Sequence, residues 1–587
     1  MKLHKFSLAL LLGIGLLTSC SDKLDVVDAN RQPSGLFGNT VEELEESVIA
    51  AYNHIRMEGT YSRVGYCYDV CRGDEAWNCS QVWYLPFDNL NAEVTLEMSQ
   101  WPWRDWYYTV NVCNFILSRC GSDNSKLNET MRHIKGQALF LRGLSYYNLA
   151  GYYQNPPLIL THNPNATIEE TYVENSSYDQ VFDQVEKDLK EAMALLPTRD
   201  RGDQWAKGRA TCGAAAGYYA RALMMRHKYS EALTVLKDII SRKYGTYGLV
   251  ANFGDNFREG AAYENNEESL FEVQFLDYNS QGVDDEWTPV NTSSNATQGH
   301  AVESNFGPGV NGGWADIAAS PWLYNLFIAE KTTANGLDPR LYWTIGTYEA
   351  GWNGFENGNV CYVQGMTNNS VVTNNINGGL PIAKHTNLRT NLYSTIVTGL
   401  HCGINLRLMR YSDVLLRAAE CENEVNGPTQ QAIDWINEVR TRAGLKDLQL
   451  SDYSGNADKL FEQIANVERP KEFGCEFGRG FDLIRWGFFY DNGRLEQLKQ
   501  HGAFRICSSI SDAKSKSKNP ITANDIVNDP EVKTSYSSYV DGHEFLPIYQ
   551  GLLNDNPKLK GNSANSSSSN KPYFTGKGWT VHPVVKL

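Results

Sequence analysis

Between Arg72 and Trp106 the chain carries five tryptophans, Trp77, Trp83, Trp101, Trp103 and Trp106, among Asp74, Glu75, Asn78, Gln81, Asp88, Asn89 and Asn91. Flat apolar rings interleaved with amides and carboxylates suit a polar ligand that also presents C–H faces, such as a sugar or a peptide. A second aromatic group, Trp287, Trp314, Trp322, Trp343 and Trp352, lies in the Gly-, Asn-, Ser- and Thr-rich stretch from about 245 to 405. Ten of the 14 tryptophans thus fall in two loop-rich regions, and long irregular segments inside a compact protein are usually functional. The candidate stacking rings are Trp77, Trp83, Trp101, Trp287 and Trp314, with Arg72, Asp74 and Asn78 as polar partners. From Trp103 the spacing turns helical (Trp106, Tyr107, Val110, Asn114, Leu117), which assigns Trp103 and Trp106 to a helix and leaves Trp101 just before it.

Catalytic patterns are few. Gly307 to Gly312 satisfies GxGxxG, but Pro308 interrupts it and no buried strand precedes it, so it reads as a loop. The acidic pairs Asp74–Glu75 and Asp284–Asp285–Glu286 are the candidates for a glycosidase reading, which requires two carboxyls about 5–10 Å apart across one bond. HExxH, Walker A, GxSxG and EF-hand patterns are absent from the sequence, and no cysteine or histidine spacing predicts a metal site. No cofactor is expected.

The elements that must position these residues are helical. Thr40 to Met57 is amphipathic through Val41, Leu44, Val48 and Tyr52. Asn128 to Tyr153 shows three-and-four spacing and stops at Pro156–Pro157, and Ser177–Tyr178–Asp179–Gln180 is a capping box that opens a helix ended by Pro197. Two segments, Arg209 to Arg242 and Arg410 to Gly444, place small residues before a polar break and an apolar stripe after it, as tetratricopeptide units do. Such units bury their apolar faces by stacking, so the helices at about 40–57, 103–243 and 410–486 are expected to form one scaffold, with 245–405 as the ligand-binding part. Glu472, Glu476, Arg479 and Asp482, at helical spacing, are expected to form a structural ion-pair ladder.

The formal net charge is −15, and no basic stripe with interleaved aromatics exists, so nucleic acid is not an expected partner. Met1 to Cys20 has a basic start, an apolar run from Leu8 to Leu17, and Leu17–Thr18–Ser19–Cys20 at its end. The last four residues resemble a bacterial lipobox, in which the chain is cut before Cys20 and that residue is acylated. Residues 1–19 are then the signal peptide and 20–39 the tether. Removing the signal brings the net charge to about −17. The remaining 11 cysteines are irregularly spaced and read as free, buried thiols, although Cys67 and Cys71 could pair in an oxidising compartment.

Several stretches together resemble the SusD/RagB-type outer-membrane lipoproteins. They are Leu139 to Tyr147 with Pro156–Pro157–Leu158; Gly208–Arg209–Ala210–Thr211; Arg410–Tyr411 with Asp413 to Leu416 and Ala419–Glu420; Glu468–Arg469 through Arg485; and Leu546–Pro547–Ile548 with Asn556 to Leu559. The resemblance runs from the lipobox to residue 561. Pro470 and Phe477 depart from the family pattern, and residues 562–587 exceed its usual ending. What it implies is a mainly α, SusD-like fold spanning 40–561, and a non-catalytic surface protein that binds an oligosaccharide. Its implied partner is a SusC-like TonB-dependent transporter, with the membrane held through lipid on Cys20. Some relatives bind peptides. The competing class is a surface glycoside hydrolase.

Overall fold

The computed structural model describes residues 37–78, 83–201, 207–276, 299–307, 314, 316–346, 380–386, 402–505, 527–528, 535–565 and 581–587. Helices dominate them: α1 (Val41–His54), α2 (Val64–Arg72), α3 (Trp101–Cys120), α4 (Glu129–Tyr153), α5 (Tyr178–Leu195), α6 (Cys212–Met225), α7 (Tyr229–Ile240), α8 (Tyr411–Asn426), α9 (Gln430–Arg442), α10 (Ala457–Gln463), α11 (Arg469–Phe473), α12 (Arg479–Arg485) and α13 (Asn492–Gly502). Their starts follow local chemistry. Thr40 with Glu43 and Ser177 with Gln180 form complete capping boxes on α1 and α5, and Asn128 caps α4. Trp101 is the first residue of α3 rather than the residue before it, because Pro102 has no N–H to lose and favours the opening turn.

Helices α1, α3, α4, α5, α6, α7, α8 and α9 touch in that order, which makes one continuous array. The break of some 170 residues between α7 and α8 is bridged in space, since those two helices are direct neighbours. Close approach in the array requires small residues. A Cβ at Gly143 of α4 would stand 2.9 Å from Leu189 Cγ of α5. Next to it Arg142 donates to both carboxylate oxygens of Asp188, at 2.7 and 2.8 Å, and to Asn114 Oδ1 at 2.9 Å, which pins α3, α4 and α5 together. The turn before α6 is equally specific. Gly208 takes φ +78°, Arg209 pairs with Glu45 at 2.7 Å, the Ala210 N–H donates to Tyr52 Oη at 2.8 Å, and Thr211 caps the helix.

Sequence periodicity did not reveal the strands, because the shorter ones have two or three residues and the two five-residue strands are buried along their whole length. A three-stranded antiparallel sheet runs β1 (Ala76–Asn78), β3 (Ile317–Ala319), β4 (Leu380–Pro381), with Ala76 opposite Ala319, Trp77 opposite Ala318 and Asn78 opposite Ile317. A second, antiparallel pair joins β2 (Ser269–Val273) to β5 (Leu406–Arg410).

The charged C-terminal signature departs from the expected ladder. Helix α11, which Pro470 helps to start, ends at Phe473; Cys475 and Gly478 take φ +63° and +126°; α12 then begins at Arg479. The four charges therefore point to different elements inside the protein. Glu472 meets Arg410 at 2.8 Å and Arg340 at 3.2 Å, and Glu476 meets Lys384 at 2.9 Å. Arg479 meets Asp74 at 2.7 Å, while Asp482 meets Arg469, Arg485 and Arg417 at 2.6, 2.7 and 3.2 Å. Their role is structural, but as a buried network with every charge paired. Phe477 fills the space between Tyr61 and Phe481, edge-on to both at 5.3 and 5.5 Å. Cys67 and Cys71 are buried one turn apart on α2 and are not bonded to each other.

Candidate functional site

The stretch Arg72 to Trp106 runs from the ionic core to the surface. Asp74 lies at its inner end. Its carboxylate accepts from Arg479 Nε and Nη2 at 2.7 and 3.0 Å and faces His501 Nδ1 at 2.7 Å, with none of the side chain exposed. Burial alone would raise this carboxyl, but Arg479 and His501 outweigh it and hold the group well below the usual carboxylate range. Trp322 stacks flat on His501 at 3.9 Å and closes that side. Glu75 is also buried; desolvation pushes its carboxyl up to about 8, although Arg479 lies 3.8 Å away. Arg72 is 5% exposed and sits beside Asp69 and Glu544. Arg72 and Asp74 are thus interior groups, which corrects their assignment as ligand partners. The Asp74–Glu75 pair is likewise closed to a glycosidic bond.

From Glu75 the chain enters β1, held by Ser320, whose N–H donates to the Glu75 carbonyl at 2.8 Å and whose hydroxyl donates to the Asp74 carbonyl at 2.9 Å. Trp77, opposite Ala318, is 9% exposed and belongs to the core. Asn78 is half-buried at the end of the strand. Because the ladder is antiparallel, the chain leaves β1 after Asn78 at the end where it enters β3 before Ile317. The two rings on these flanks are the exposed ones. Trp83 is 39% and Trp314 40% exposed, values reached by no other tryptophan among the described residues.

Both rings are mounted on buried supports. The Trp314 N–H donates to the Ser304 carbonyl at 2.6 Å, and the Arg63 guanidinium lies 5.2 Å from the Trp314 ring centre. Tyr84, next to Trp83, is fully buried, packs edge-on against Tyr68 at 6.0 Å, and sets its hydroxyl against the same Arg63. Burial would lower the Arg63 guanidinium, yet Tyr84 and Glu58, the latter 3.1 Å away, keep it above its ordinary value. One cation therefore meets both the Trp314 ring and Tyr84, the residue next to Trp83. Arg63 and Tyr84 were missed in the sequence because nothing local marks them. Their role exists only through the β1–β3 pairing.

The remaining candidates divide. Trp101 is half-buried at the start of α3, Trp103 is packed against Tyr153 at 5.1 Å, and Trp106 is fully buried against Tyr61 at 5.2 Å. Trp287, Trp352, the acidic run Asp284–Glu286, most of the GxGxxG stretch and Cys20 lie outside the described residues. Among the described residues no group of three His, Cys, Asp or Glu side chains is placed to hold a metal ion, and no helix is long and apolar enough to cross a membrane.

A mainly helical scaffold whose buried arginines and acids reproduce one family's signature, carrying exposed rings on irregular flanks, defines a SusD-type protein. The chain matches the SusD family over residues 267–565, just over half its length, and belongs to that family. A second match, over residues 23–224, is to a group described as starch-binding and associating with the outer membrane. SusD-like protein P25 of Formosa agariphila is 25% identical over 492 residues, covering 78% of this chain and 84% of that protein. Two solved structures share the fold. A SusD-like carbohydrate-binding protein from Bacteroides fragilis superposes with TM-score 0.69 at 20% identity, over 89% of this chain and 99% of that one. Surface glycan-binding protein A from Bacteroides thetaiotaomicron, in complex with laminarihexaose, superposes with TM-score 0.60 at 20% identity, again over 89% and 99%.

Proposed function

We propose that this protein is a non-catalytic surface lipoprotein that captures oligosaccharides and passes them to a SusC-like TonB-dependent transporter. Trp83 and Trp314 would serve as the stacking platform, and Asn78 as a polar partner. The observation that carries this reading is that Trp83 and Trp314 are the exposed tryptophans among the described residues, one beside Tyr84 and the other over Arg63, which meet each other. A flat ring offers a pyranose its C–H face at little entropic cost, and amides at the rim take the hydroxyls. Trp101 and Trp287, the latter outside the described residues, remain candidate rings. The lipobox-like run at Leu17–Cys20 supports acylation at Cys20, and family membership supports a TonB-dependent partner. The glycan-binding relatives support a saccharide over a peptide.

Calorimetry with the full chain against laminarihexaose and a panel of plant and host glycans tests the reading. Binding to at least one saccharide is expected, weakened tenfold or more by Trp83→Ala or Trp314→Ala with the melting temperature kept. Uptake of peptides with no glycan bound would transfer the site to the peptide-binding branch. Released reducing ends would make the protein a hydrolase.

A further inference from the structure

Residues 581–587 lie beyond the family match, which ends at 565, and are not used by the function proposed above, yet they dock on helices of the scaffold. We propose that this C-terminal segment is a proton-gated strap. It closes over α8, α10 and α13 while the His582 ring carries both of its protons, and lets go when the ring loses one.

The geometry is that of a clamp. His582 Nδ1 lies 2.6 Å from Asp458 Oδ1 of α10, and Nε2 lies 2.7 Å from Glu424 Oε1 of α8. Carboxylates only accept, so both contacts are hydrogen bonds only when both ring nitrogens carry a proton. A neutral ring must aim one lone pair at a carboxylate. The ring also stacks on Phe461 at 4.2 Å and 13°, a favourable seat for a cation. Little else holds the segment by apolar contact, since Val584 and Leu587 are 45% and 50% exposed. The other tie is Arg494 of α13, which donates to the carbonyls of His582 at 2.7 Å and Pro583 at 3.0 Å and does not titrate in this range.

The charges around the clamp are accounted for. Arg494 is paired with Glu462 at 2.5 Å. His227, from the turn between α6 and α7, faces the region, but burial pushes it down to about 4 and its ring bonds the Arg485 carbonyl at 2.6 Å, so it stays neutral. Behind it Arg485 and Glu420 neutralise each other at 2.8 Å. Tyr229, beside Glu424, is held protonated by burial. His582 is thus the titrating cation that the two carboxylates bond. Burial would lower the ring's affinity for its second proton, but Glu424 and Asp458 outweigh it and raise it. A raised folded value makes the docking energy fully present below about pH 6.5 and lost as pH rises through that higher value.

The mobility of a nitroxide attached at Lys586→Cys, an exposed position in a chain whose described native cysteines are buried, tests the strap between pH 5.5 and 9. The expected result is a docked, slow-motion fraction that falls on the order of tenfold across the range. With His582→Gln added the pH dependence should vanish, and with His582→Ala the label should be mobile throughout, with far-ultraviolet circular dichroism unchanged in both. Equal mobility from pH 5.5 to 9 with His582 intact, or a pH-dependent loss that survives in His582→Gln, overturns the proposal.

Discussion

Asp74 and Trp83 stand within one aromatic stretch and have opposite fates. Asp74 is spent on Arg479 and His501 inside the core, whereas Trp83 is presented to solvent by the buried Tyr84 beside it. Asp74→Ala should destabilise the protein by about 3–5 kcal/mol, because it leaves the Arg479 charge buried with its best partner gone. Urea denaturation measures this, and the glycan affinity of the folded fraction should not change. Glu75 gives a test with the opposite sign to Asp74. Its folded carboxyl titrates at about 8, against about 4.3 unfolded, so the group favours folding at low pH and costs stability as pH rises from about 4.3 towards 8. Glu75→Gln should flatten that part of the stability profile, as read by denaturant midpoints at several pH values; a profile parallel to the wild type would contradict the assignment. The local sequence around the two acids is symmetrical enough that neither fate could be read from it.

At the scale of elements, the helices were legible and the strands were not. Capping boxes at Thr40 and Ser177, the caps at Asn128 and Thr211, and regular apolar stripes are local signals, and the helices start where those signals stand. β1, β3 and β4 have two or three residues each, so their identity comes from pairing with distant chain, Ala76 with Ala319 and Ala319 with Leu380. The array depends on close helix approach. Gly143→Ala would drive a Cβ to 2.9 Å from Leu189 Cγ, and overpacking of this kind costs about 1–3 kcal/mol. A lowered melting temperature with retained helical circular dichroism is the expected outcome. No change in melting would mean that α4 and α5 separate freely, contrary to the two hydrogen bonds that Arg142 donates to Asp188.

For the whole molecule, the scaffold and the proposed binding face are distinct parts, and the proposed lipidation at Cys20 is separable from both. Cys20→Ser should move the protein from the membrane fraction to the soluble one without changing its glycan affinity in solution, since position 20 precedes the helical array, which opens at Val41; fractionation and calorimetry check the two halves. By itself the sequence determined the class: five ordered motifs, helical periodicity and the lipobox specify a SusD-like scaffold with two aromatic loop regions. It also determined that Trp103 and Trp106 belong to a helix, because periodicity is a local property. Only the tertiary structure decided which rings reach solvent. That choice depends on the β1–β3 register, on Arg63 arriving from the segment before α2, and on Arg479 drawing Asp74 inward from some 400 residues away. Burial is a sum over neighbours from the whole chain, so a tryptophan's fate is fixed by partners that its own surroundings in the sequence do not contain.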